Sequence, residues 1–144
     1  MGFNARLAPY TVTFQTNALA EATGTHDIDW FRFPFAGELL AAYAATSENI
    51  ATDTTTAITT LAVGKSLAGT GAYAAASSRV NTAGATGSTY DNTTQYTLTN
   101  STTIAEVRFA AGDWAMLRII NAHTSGGVRP LNVQMDYVIG YSAA

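Results

Sequence analysis

Leu131-Asn132-Val133-Gln134-Met135-Asp136-Tyr137 alternates apolar and polar side chains without a break. A strand sends successive side chains to opposite faces, so this stretch has one dry face and one wet face. Immediately upstream, Val107-Arg108-Phe109 leads through Ala110-Ala111-Gly112-Asp113 into Trp114-Ala115-Met116-Leu117-Arg118-Ile119-Ile120. Gly112-Asp113 stands between two strand-like runs, where a turn is required. Asn121 to Gly127 supplies a loop before the last strand, so Ile104 to Tyr141 reads as consecutive strands over one core.

The same pattern extends toward the N-terminus. Tyr10-Thr11-Val12-Thr13-Phe14-Gln15 alternates as cleanly, and Asn17 to Gly24 is a connection with room for one helical turn around Ala18 to Glu21. His26 to Phe35 is an aromatic strand, with Phe31, Phe33 and Phe35 expected on one face and Ile28 and Trp30 on the other. Pro34 cannot donate to a ladder, so this strand ends there or lies at an edge. Glu38 to Ala45 is read as a strand between Gly37 and a turn at Thr46 to Asn49. Thr55 to Val63 reads as a strand ending at Gly64, with another near Tyr73 and a short one at Gln95 to Thr99. A turn at Thr89 to Asn92 precedes the last of these. Eight or nine strands with no long amphipathic helix predict an all-β, antiparallel sandwich or barrel.

Composition narrows the function. The 144 residues fit one domain, expected as a β-sandwich over residues 10–144 behind an extended arm at 1–9. There is no cysteine, so disulfides and thiolate metal sites are excluded. A net charge of −3 with seven scattered basic residues argues against nucleic-acid binding. No run is apolar enough to span a membrane as a helix. Met1-Gly2-Phe3-Asn4-Ala5-Arg6 has no apolar h-region, and Arg6 breaks the myristoylation pattern. The chain holds 27 Ala and 23 Thr against a single Lys. A surface so poor in charge is either covered by partner subunits or hydrated by Thr and Ser hydroxyls.

Motifs of chemistry are weak. Val63-Gly64-Lys65-Ser66 resembles a phosphate loop, but Thr59 occupies the place of its first glycine. His26, Asp27 and Asp29 could offer metal ligands, with Asp27 and Asp29 on one face of a strand. Asp91, Asn92 and Asp113 fit turns. Neither histidine, His26 or His123, accompanies a nucleophile pattern, so the expectation is a protein without catalytic, metal or cofactor-binding residues. Asn92-Thr93-Thr94 and Asn100-Ser101-Thr102 match the glycosylation acceptor pattern. Trp30, Phe31, Phe33, Phe35 and Trp114 could line a sugar-binding face, although core packing is the expected fate of most of them.

The order of elements resembles the small jelly-roll decoration, or cement, proteins of tailed-phage capsids. The likeness rests on Phe109-Ala110-Ala111-Gly112-Asp113-Trp114, on the strand ending Asp136-Tyr137-Val138-Ile139, and on Trp30 to Phe35 leading into Gly37-Glu38-Leu39. A similar turn occurs in trimeric jelly rolls of the tumour-necrosis-factor type. The resemblance implies a homotrimer on the capsid surface of a virion, made in the bacterial cytoplasm, with the major capsid protein as partner and no cofactor. A carbohydrate- or receptor-binding head of a tail or fibre is the alternative, and a main capsid or tail-tube subunit a third reading.

Overall fold

A computed structural model of the chain describes residues 9–16, 24–46, 59–66, 73–81, 94–121 and 131–140, with the side chains of 59–60, 73–81 and 121 left aside. Its elements in chain order are β1 (Tyr10–Gln15), β2 (Gly24–Arg32), β3 (Gly37–Thr46), β4 (Thr59–Ser66) and β5 (Tyr73–Asn81), then β6 (Tyr96–Asn100), α1 (Ile104–Val107), β7 (Arg108–Phe109), β8 (Trp114–Asn121) and β9 (Leu131–Ile139). The arm at 1–8, the Ala18–Glu21 turn, the Ser47–Asn49 turn, Thr55–Ile58, Thr89–Asn92 and His123 lie outside the described residues.

The strands form two antiparallel sheets packed face to face, one ordered β1-β9-β3-β6 and the other β2-β8-β4-β5. Within a sheet the long pairs run for six to nine residues, whereas β5 meets β6 only at Ser77 with Asn100 and Ser78 with Thr99. Connections cross from sheet to sheet at β1–β2, β2–β3 and β3–β4, and again at β5–β6, β7–β8 and β8–β9. Two four-stranded sheets wound in this way are a jelly roll. The sandwich is closed along β5 and β6. Its free edges among the described strands are β1 and β2.

The expected alternation holds in β9. Leu131, Val133, Met135 and Tyr137 are buried, while Asn132, Gln134 and Asp136 face outward. β3 is rich in Ala and Leu, which would also suit a helix, yet it is a central strand between β9 and β6. Ala42 lies between Met135 and Leu98, so a small residue in the middle strand makes room for larger ones on each side. The facing sheet contributes Leu61, Val63, Ala115, Leu117 and Ile119. At one end of the core Phe33 stacks on Phe109, and Tyr137 meets both edge-on at 5.5 and 5.7 Å.

Three expectations are corrected. A bulge between Asp29 and Phe31 turns Trp30 and Phe31 to the same side, so Ile28, Trp30, Phe31 and Phe33 all pack on the core and only Phe35 is exposed. The extra residue in a bulge shifts the phase of everything after it, which strict alternation does not anticipate. Ile104 to Val107 forms one helical turn instead of a strand. Ser101 holds it locally, its hydroxyl donating to the Glu106 carboxylate and accepting from Thr103 N–H at 3.1 Å. Finally, β4 does not stop at Gly64: its pairing with β8 runs without a shift to Ser66, and its pairing with β5 resumes there after a register shift between Val63 and Gly64.

Candidate interaction surface

The two outer faces differ in chemistry. On the first sheet, Thr11, Thr13 and Gln15 of β1 lie beside Gln134 and Asp136 of β9. Asp136 accepts hydrogen bonds there from Thr11 Oγ1 at 2.8 Å and Gln134 Nε2 at 3.2 Å. This face is polar along β1 and β9, while β3 adds an exposed Leu40 and a half-buried Tyr43 to it.

On the second sheet β8 alternates with Ala115, Leu117 and Ile119 inward, so Trp114, Met116, Arg118 and Ile120 face outward. Trp114 is 38% and Ile120 37% exposed. Met116 and Ala62, a neighbouring outward residue of β4, are buried but lie outside the core cluster between the sheets. β8 is therefore apolar on both sides, as a strand covered on both faces would be. The one charge among its outward residues is neutralised in place: Arg118 Nε and Nη2 each donate to the Asp27 carboxylate at 2.7 Å. That bidentate bond, reinforced by the guanidinium charge, holds the Asp27 carboxyl below its ordinary value of 3.8.

The residues singled out by sequence fall as follows. Asp27 and Asp29 do share an exposed face, but His26 has the opposite parity in β2, on the side of Ile28. Among the described residues no group of three or more His, Asp or Glu could hold a metal ion. Lys65 is not presented to a phosphate: its ammonium donates to the carbonyls of Ala105, at 2.7 Å, and Arg108. The Asn100 amide nitrogen donates to the Leu40 carbonyl at 2.8 Å, an engagement that glycosylation would break. Asn92 lies outside the described residues. Asp113 is buried in its turn, accepting from Ala110 N–H at 2.8 Å, while Gly112 takes φ +92°. Of the five aromatics, Phe33 is buried and Trp30 and Phe31 pack on the core, whereas Phe35 and Trp114 stand out into solvent. A cavity beneath Lys65 and Glu106, lined by Phe33, Leu39 and Met135, encloses about 10 Å³, the space of one water.

Sequence reasoning missed the outward side of β8. The signal was present: Trp114 to Ile120 is apolar at every position but Arg118, without the alternation of β9. Compared with known protein families, curated proteins and solved structures, the chain matches none.

Proposed function

We propose that this protein is a virion structural protein that decorates a phage capsid, three copies around a local three-fold axis bridging coat subunits. The observation that carries the reading is the outward side of β8, where Trp114 and Ile120 stand exposed and the Arg118–Asp27 pair neutralises the only charge. An apolar strip beside a locally satisfied ion pair suits contact with another protein surface, since little charge must be desolvated. Attachment to the assembled lattice, and not to its free parts, would stabilise the lattice by mass action. Threefold symmetry would multiply a modest contact through avidity.

The test is co-sedimentation of the purified chain with capsids lacking it, alongside light scattering of the free chain. The expected results are a trimer and saturable attachment, lost in the Trp114→Ser, Ile120→Ser double variant. A lone 15.1 kDa particle that binds no capsid would refute the reading. One observation favours the carbohydrate- or receptor-binding head instead. Phe35 and Trp114 are both exposed and flank the backbone pair in which Phe33 N–H donates to the Asp113 carbonyl at 2.9 Å. Saccharide binding abolished by Phe35→Ala would favour that alternative.

A further inference from the structure

The two edges left free among the described strands are unequally protected. An edge strand exposes unpaired N–H and C=O groups, and proteins blunt such edges with charges, bulges or proline. β2 has all of these: Asp27, Asp29 and Arg32 along it, a bulge at Trp30, and Pro34 just beyond. β1 has no charge and no bulge within Tyr10 to Gln15, and its only blunting residue is Pro9 at its start. We propose that β1 pairs antiparallel with β1 of a second copy across a two-fold axis, joining two four-stranded sheets into one of eight.

The register follows from the backbone. Thr16 N–H donates to the Leu131 carbonyl at 2.9 Å, so the even-numbered residues of β1 turn their backbone groups toward β9. Thr11, Thr13 and Gln15 therefore turn theirs to the free edge. Antiparallel self-pairing uses every one of these groups when Thr13 faces Thr13 and Thr11 faces Gln15. Sliding by one pair sets Gln15 against Pro9, which has no N–H to give, or, the other way, leaves Thr11 opposite no residue of β1. The favoured register also keeps side chains on matching faces. Thr13 meets Thr13 and Thr11 meets Gln15 outside, while Val12 meets Phe14 on the core side, pairings that stabilise sheets. The contact is isologous, as a two-fold requires. It stands whether or not the protein decorates a capsid, and on a lattice it would link neighbouring trimers.

The absence of cysteine makes the test clean. Opposed residues of a hydrogen-bonded pair lie about 5.5 Å apart at Cα, within disulfide reach. Under mild oxidation Thr13→Cys should yield a band at twice the 15.1 kDa chain mass on a non-reducing gel. Thr11→Cys alone and Gln15→Cys alone should stay single, and an equal mixture of the two should cross-link. All three sites are exposed, so the fold tolerates them. Absence of the Thr13→Cys band, cross-linking of Thr11→Cys alone to the same extent, or failure of the mixture would overturn the proposal. A capsid-binding result of either sign leaves this readout unchanged.

Discussion

Gly37 shows how closely the backbone packs where β3 begins. A Cβ there would sit 2.2 Å from the Val138 carbonyl oxygen and 2.8 Å from the Phe109 ring. A carbonyl fixed in a ladder cannot swing aside, so Gly37→Ala should cost about 1–3 kcal/mol by overpacking. Urea unfolding would register it as a lower midpoint at unchanged slope. Asp27 makes a second residue-scale prediction. Its folded-state pKa is lowered, so its contribution to stability is present above the unfolded value and disappears as pH falls through the folded one. The pair is partly exposed and should be worth about 0.2–1 kcal/mol. Asp27→Asn should therefore melt lower than the parent near neutrality, and the gap should close at pH values below the ordinary carboxylate range. Tyr137 runs the other way: burial, then the neighbouring Tyr10, push its phenol above 10.0.

Among the elements, the short helix α1 and strand β4 are bound by one side chain. Lys65 has inward parity in β4, and its stem runs beside the core until the ammonium reaches the carbonyls of Ala105 and Arg108 at the end of α1. Those carbonyls lie where a helix leaves acceptors unsatisfied. Lys65→Met keeps the stem and removes the donor. It should destabilise by about 1–3 kcal/mol, and hydrogen exchange should rise first in residues 104–109. This link illustrates what the sequence could and could not convey. β1 and β9 were legible to the residue at their starts because alternation and turn residues agree there. The Trp30 bulge and the inward course of Lys65 were not, since each is decided by a partner remote in sequence; the turn at Ile104 was missed although its Ser101 contacts are local. The Gly112-Asp113 turn was legible because its conformation and its capping carboxylate are both local.

For the whole molecule, the jelly-roll winding gives the two sheets different outer faces and different edges. One sheet presents the hydroxyls and amides of β1 and β9 beside an exposed Leu40 and ends in β1, while the other presents Trp114 and Ile120 and ends in the charged edge β2. Because Trp114 and Ile120 lie outside the inter-sheet core, the Trp114→Ser, Ile120→Ser variant should unfold within about 1 kcal/mol of the parent while losing attachment. Loss of attachment together with a collapsed melting point would instead mark these residues as structural. The charge-poor composition was visible in the sequence from the outset. Which face the apolar excess occupied was not, because β8 reads the same from either side.

The sole lysine carries a practical corollary. With the half-buried Lys65 ammonium bound by two carbonyls beside α1, the described residues offer no other ammonium to aldehyde fixatives or succinimidyl esters. Peptides from the described residues should therefore carry an amine label at Lys65 alone, and mass spectrometry would read how far its two carbonyl bonds slow that reaction.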